Sequence, residues 1–174
     1  MKKFISVILM AALALSLFAA CGKTDDAPKG ADLSGESAEA LVNKIYESKM
    51  PEFALMTMPV DLADAEMVAW QTGINDPALL KEAVISESMM GSQAFSLVVV
   101  KLDGADAKAT AEAMKAGIDQ RKWICVEADD IKVSGKGDTV MLIMIDSEYR
   151  ESISVEDVTE AFKTVCGGAL DFEI

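Results

Sequence analysis

The sequence predicts an α+β fold: a two-layer sandwich in which an antiparallel or mixed sheet of about four strands carries helices mainly on one face. Two observations predict it. Strand-like segments occur in adjacent pairs that alternate with helix-like segments, in the order helix, helix, strand, strand, helix, strand, strand, helix. The stretch after about position 35 also has the length of one ordinary domain. We therefore expect a single α+β domain over residues 36–174.

Two helices are expected before the first strand. The first covers about residues 35–48, where Leu41 and Ile45 form part of an apolar stripe at helical spacing. The second covers about residues 62–70 and ends at Gly73, because a residue without a side chain suits a helix stop.

The first strand pair covers about residues 82–89 and 93–102, with a tight connection between them. Leu97–Val100 is a continuous aliphatic run, which is expected where both faces of a strand are covered or nearly so. An alanine-rich helix over about residues 106–122 follows, with Asp106 as its predicted N-cap.

The second strand pair covers about residues 130–134 and 139–146. Gly135 and Gly137 lie between these strands and supply the positive backbone angles that short hairpin turns need. The last helix covers about residues 155–165 and follows a relative of the capping box.

The first 21 residues have the pattern of a bacterial lipoprotein signal. Lys2 and Lys3 precede an apolar run, Phe4–Leu17, and small residues then lead to Cys21. We expect residues 1–20 to be a signal peptide and Cys21 to be acylated, which anchors the protein on the extracytoplasmic face of the cell membrane through its lipid. The alternatives are an ordinary signal peptide with an incidental cysteine, or an uncleaved anchor. Phe18 also stands where Leu is usual.

Residues 21–35 are small, polar and punctuated by Pro28 and Gly30. Such a segment buries too little apolar surface to fold by itself, so the sequence predicts a flexible tether.

The chain is strongly acidic, with 29 acidic and 16 basic residues and a formal charge of −13. Residues 1–20 hold two of the basic residues and none of the acidic ones, which leaves −15 on the rest. Nucleic acids and anionic lipid head groups repel such a surface, so a nucleic-acid partner is not expected.

The sequence offers little chemistry. It contains no histidine, which removes the commonest general base and the commonest zinc or copper ligand. Cys125 and Cys166 could pair or stay free, because their spacing does not decide whether their backbones approach. We predict no catalytic residue, no cofactor and no metal site.

Three weaker chemical hypotheses are compatible with the sequence. Neighbouring carboxylates occur at Asp129 and Asp130, and at Asp61 and Asp64, and a glycosidase needs two carboxylates at a suitable separation. Met56 and Met58, on either side of Thr57, have the spacing of a Cu(I)-binding methionine motif, although methionine more often fills irregular cores. A catalytic Ser-Lys dyad could use one of three serines near the first hairpin, although no motif indicates one. The serines are Ser88, Ser92 and Ser96.

Soft apolar residues before the sheet form a candidate partner-binding patch. Its members are Phe53, Met56, Met58 and Trp70. An exposed patch of methionine and aromatic side chains is typical of an adaptable protein-binding surface.

Several local phrases carry a family resemblance over about residues 36–165. They are Met67–Ile74, Glu82–Val84, Met89 with Met90, Val98–Lys101, Arg121 with Lys122, and Gly135–Gly137. Together with the export signal predicted at the N-terminus and the order of helices and strands, these segments make the chain resemble the bacterial lipoproteins catalogued as domain of unknown function 4358. The resemblance implies a Gram-positive, Clostridia-like surface lipoprotein, and it supplies no activity and no site residues.

The sequence therefore favours a non-enzymatic binding or accessory module of the cell envelope, with an envelope protein or ligand as its partner. The alternatives are a single-domain solute receptor and, less favoured, a hydrolase of envelope polymers that uses Asp129 and Asp130.

Overall fold

A computed structural model describes residues 30–174. In this part of the chain there are four α-helices: α1 (Ala38–Ser48), α2 (Ala65–Thr72), α3 (Ala107–Gly117) and α4 (Val155–Val165). The strands are β1 (Leu55–Pro59), β2 (Leu80–Ser88), β3 (Phe95–Leu102), β4 (Asp130–Lys136), β5 (Thr139–Ile145) and β6 (Phe172–Glu173). Two short 3₁₀ helices are Pro77–Leu79 and Ser147–Tyr149.

The strands form one sheet in the order β1-β2-β3-β5-β4-β6, and every neighbouring pair is antiparallel. The predicted α+β class with an antiparallel sheet is confirmed. The prediction of about four strands is wrong, because β1 and β6 extend the four predicted strands at the two edges. Both additions are short, and β1 is mostly exposed and ends in a proline, so neither has the buried aliphatic run that marks a central strand.

Helices cover both faces of the sheet, so the expected placement mainly on one face does not hold. In β3, Leu97 and Val99 belong to one apolar cluster, which α1 and α4 complete. Val98 and Val100 belong to a second cluster, which α2 and α3 complete. Because the central strands are apolar on both sides, each side needs its own cover.

The helix starts follow from local capping. Asp106 accepts a hydrogen bond from the Ala109 amide at 2.8 Å, which confirms the predicted cap. Ser154 and Asp157 form a reciprocal capping box, as their sequence indicates. Helix α3 ends at Gly117, five residues before the predicted end, because the backbone turns extended at the next residue.

Residues 30–35, the last part of the predicted tether, contact the domain. The Ala31 amide donates to the Cys166 carbonyl at 2.7 Å, and the Leu33 side chain is buried. The Leu33 carbonyl accepts a hydrogen bond from Lys101 Nζ at 2.7 Å. Ordered contacts therefore begin before α1. The earlier residues of the tether, the predicted signal peptide and Cys21 lie outside the described residues.

The two ends of the sheet hold different parts of the chain. The Lys101 end holds the C-terminal part of β3 and the β4-β5 turn, since Lys101 pairs with Thr139 across the strands. The Met90 end holds the β2-β3 turn and the last residue of β5, since Phe95 pairs with Ile145. Within residues 30–174, no helix has the length and apolar character needed to cross a membrane.

Candidate binding surface

The four residues of the predicted patch do not form one surface. Met56 and Trp70 are exposed, while Phe53 and Met58 are half-buried. The Phe53 ring packs edge-on against Phe95, with ring centroids 5.3 Å apart, in the cluster under α1 and α4. Met58 packs against the cluster on the opposite face. Two of the four side chains thus contribute to different halves of the core.

A different set of apolar side chains is exposed at the Met90 end. Met89, Met90 and Ile124 have 65%, 56% and 73% of their surface exposed, which are the three largest values among the large apolar residues in residues 30–174. We call these three residues the Met90 patch. Exposed apolar side chains that lie close together are typical of a protein-binding surface.

Backbone contacts connect the parts of the Met90 patch. The Ile124 amide donates to the Gly91 carbonyl at 2.9 Å, so the loop after α3 lies on the β2-β3 turn. The Met89 amide donates to the Ala54 carbonyl at 3.0 Å, which joins the turn to the start of β1. The adjacent methionines in a tight turn are a sequence signal for exposure. The position of Ile124 has no such signal, because it depends on a contact between distant segments.

A buried ion pair fixes the loop that carries Ile124. Lys122 Nζ lies 2.6 Å from Glu87 Oε1 and 3.4 Å from Ser96 Oγ, and the lysine side chain is only 3% exposed. The same ammonium lies 5.4 Å from the centroid of the Trp123 ring. Burial lowers the pKa of Lys122, and the Glu87 carboxylate opposes that shift. The pair holds the loop on the sheet, and Ile124 is thereby presented at the surface.

The same geometry bears on the Ser-Lys possibility. Ser96 is fully buried, and Lys122 is engaged with Glu87, so a substrate cannot reach this pair in the structure. The Ser88 hydroxyl donates to Gln93 Oε1 at 2.7 Å. A nucleophile needs both access and a free base, and Ser96 with Lys122 offers neither.

Two shallow depressions adjoin the Met90 patch and share part of their lining. One, of about 460 Å³, includes Trp123 and Arg121. The other, of about 470 Å³, is lined by four carboxylate residues, which are Glu127, Asp129, Asp146 and Glu148. Both include Cys125, the residue after Ile124. We call the second one the acidic depression.

The carboxylates of the two predicted pairs form hydrogen bonds and an ion pair with nearby residues. Asp129 accepts hydrogen bonds from the Ser147 amide and hydroxyl, both at 2.7 Å, and these bonds lower its pKa. Asp130 pairs with Arg150 at 2.7 Å. A general acid needs a raised pKa, so the environment of Asp129 is unsuited to that role. Asp61 and Asp64 each accept a hydrogen bond from a nearby backbone amide.

The cysteines differ in their surroundings. Both thiols are free, with Cys125 exposed and Cys166 buried, so the structure contains no Cys125–Cys166 disulfide. Burial raises the pKa of Cys166 to about 12. In the part of the chain that the structure covers, no group of three or more acidic or cysteine side chains is arranged to hold a metal ion.

No protein-family model, curated protein or solved structure matches this chain.

Proposed function

We propose that this chain is a lipid-anchored, non-enzymatic binding module of the cell envelope, attached through Cys21 to the extracytoplasmic face of the cell membrane. The sequence pattern of residues 1–21 supports the anchor, and the local phrases of residues 36–165 support kinship with the lipoproteins of domain of unknown function 4358. The exposed Met90 patch supports a protein partner.

The distance between Cys21 and the domain limits how far the domain can stand from the membrane. Only eight residues separate Cys21 from Gly30. Whatever their conformation, they cannot span more than about 30 Å. Gly30 lies at the Lys101 end, where the neighbouring Ala31 and Leu33 bond to Cys166 and Lys101. With a lipid on Cys21, the tether therefore joins the domain at its Lys101 end.

The position of the Met90 patch relative to Gly30, the first described residue, is the observation that carries the proposal. Between Phe95 and Lys101, strand β3 spans about 20 Å, at about 3.3 Å per residue. The patch lies at the far end of this strand from Gly30. Exposed apolar side chains next to the anchor would suit contact with lipid, whereas side chains at the far end suit contact with another protein.

The chemistry of the described residues supports a binding role over a catalytic one. Ser96 and Lys122 are buried together, and Asp129 and Asp130 are engaged by Ser147 and Arg150. A binding module needs an exposed surface that keeps a fixed shape. The buried Lys122–Glu87 ion pair holds the loop that carries Ile124 in place.

Site-specific photocrosslinking in intact cells tests the proposal. A photoreactive amino acid replaces Met90 in the full chain, and a matched control places it at Lys108, an exposed residue near the Lys101 end. We expect one dominant crosslinked envelope protein from position 90 and none from position 108. The product should disappear when Ile124 is changed to Glu. Equal crosslinking from both positions, or none from position 90, would contradict the proposed binding surface. A parallel Cys21→Ser variant should leave the membrane fraction, and its retention there would contradict the lipid anchor.

A further inference from the structure

The Met90 patch and the acidic depression lie at the same end of the sheet, because the Asp146 amide donates to the Ala94 carbonyl just before β3. Ile124 belongs to the patch, and the next residue, Cys125, lines the depression. The Ile124 amide is bonded to the β2-β3 turn, so the loop holds both features in one arrangement. A ligand that extends from Ile124 past Cys125 therefore reaches the carboxylates of the depression.

The depression has a strong excess of negative charge. Four carboxylates line it, and no lysine or arginine does. Two arginines close to these residues in the chain form ion pairs: Arg121 pairs with Glu127, and Arg150 pairs with Asp130. Asp129 is bonded to Ser147, and Asp146 accepts from the Glu148 amide. These bonds orient the carboxylates but leave at most one of the four charges neutralised.

We propose that the Met90 patch binds a basic amphipathic segment of a partner protein, with the apolar side chains of that segment on Met89, Met90 and Ile124 and its Lys or Arg side chains in the acidic depression. This rests on the proposed binding function and specifies the chemistry of the partner. Charge complementarity of this kind selects partners and accelerates their encounter.

The acidic and apolar composition of this surface favours a basic amphipathic segment over anionic lipid, nucleic acid or a second copy of this chain. Anionic lipid head groups and nucleic acid would meet four carboxylates and be repelled. A second copy of this chain would bring another acidic molecule, of formal charge −15 without residues 1–20. Methionine side chains adapt to different apolar shapes, which suits the apolar face of an amphipathic segment.

Binding of synthetic peptides to the purified full chain tests the proposal. The probe is a fluorescent 18-residue helical peptide of Leu and Lys with one apolar face. A peptide in which Glu replaces every Lys tests the charge, and a peptide in which Ser replaces every Leu tests the apolar face. We expect the Leu-Lys peptide to bind at least tenfold more tightly than either of the others. Raised salt should weaken its binding, because screening reduces the charge term.

Matched charge changes separate specific binding from general attraction to an acidic protein. The Glu127→Gln/Glu148→Gln variant removes two charges from the depression, whereas Glu66→Gln/Glu112→Gln removes two exposed charges from α2 and α3. We expect the first to weaken peptide binding at least tenfold and the second less than twofold. Met90→Ser/Ile124→Ser, which changes only exposed residues, should weaken it to a similar degree as the first.

Equal weakening by the two charge variants, or equal binding of the Lys and Glu peptides, would overturn the proposal. If that happens while the photoreactive group at position 90 still captures an envelope protein, the binding function stands and only the basic partner is wrong. If position 90 also captures nothing, both proposals fall. A captured partner whose crosslinked segment is basic and amphipathic, together with the expected peptide ranking, supports both.

Discussion

Lys101 Nζ lies 2.7 Å from the carbonyl oxygen of Leu33, and this hydrogen bond ties the residues before α1 to the middle of the sheet. The same ammonium also donates to Asp138 at 2.8 Å and to Thr139 at 2.9 Å. The lysine side chain is 3% exposed, so its charge is removed from water and depends on these three oxygens. This contact fixes the end of the domain at which the preceding residues join it.

Replacement of Lys101 should therefore destabilise the domain. Lys101→Met keeps the apolar stem but leaves the Leu33 carbonyl and Asp138 without their buried donor, which should cost about 1–3 kcal/mol in the free energy of unfolding. Urea unfolding followed by the fluorescence of Trp70 and Trp123 measures this loss. Lys108→Met, on the exposed side of α3, is the control and should change stability little. Equal stability of the two variants would show that the contact contributes nothing.

Gly117 packs directly on the backbone of Gly73, and a methyl group at Gly117 would overlap the Gly73 carbonyl. The atoms that the methyl group would meet belong to the backbone of Gly73, so they cannot shift without distorting the chain. Gly117→Ala should thus destabilise the protein by about 1–3 kcal/mol, as overpacked sites do. Gly35→Ala is the matched control, because the added methyl meets no atom within 4 Å. Thermal unfolding of both variants tests the difference, and a Gly117→Ala protein as stable as the control would refute the close packing.

Asp171 links stability to acid pH. A hydrogen bond from Lys136 and another from the Gly137 amide lower the pKa of Asp171 below its usual value. The folded protein therefore keeps this carboxylate ionised where the unfolded chain has already bound a proton. The stabilisation is fully present above about pH 4 and is lost as the pH falls through the lower folded pKa.

Asp171→Asn should consequently make the free energy of unfolding fall less steeply between about pH 4 and pH 2. Urea unfolding at a series of pH values measures the slope. Asp103→Asn, in the exposed turn after β3, is the control, since its carboxylate has no hydrogen-bond or ion-pair partner within residues 30–174. An unchanged slope for Asp171→Asn would contradict this role.

The two thiols should react at very different rates. Cys125 is exposed, whereas Cys166 is buried and burial raises its pKa to about 12, so almost no Cys166 thiolate exists near neutral pH. Iodoacetamide should alkylate Cys125 in the folded protein and Cys166 only after denaturation. Peptide mapping by mass spectrometry distinguishes the sites. Rapid alkylation of Cys166 in the folded state would show that this part of the domain opens readily.

Sequence patterns determined the features that depend on neighbouring residues. Asp106 and Ser154 accept hydrogen bonds from amides three positions later, so the starts of α3 and α4 could be predicted from local spacing. The aliphatic run in β3 likewise marked a strand covered on both sides. The sequence does not predict β1, because an exposed edge strand has no such aliphatic run. Its strand conformation depends on backbone pairing with β2.

Tertiary structure alone decided where the exposed apolar surface lies. Phe53 and Met58 resemble Met56 in sequence character, yet packing against opposite faces of the sheet removed both from the predicted patch. Ile124 and Gly91 are 33 positions apart, and only the folding of the α3-β4 loop onto the β2-β3 turn brings them together. Local hydrogen bonds and periodicity depend on residues a few positions apart, whereas a binding surface depends on which distant segments the core brings side by side.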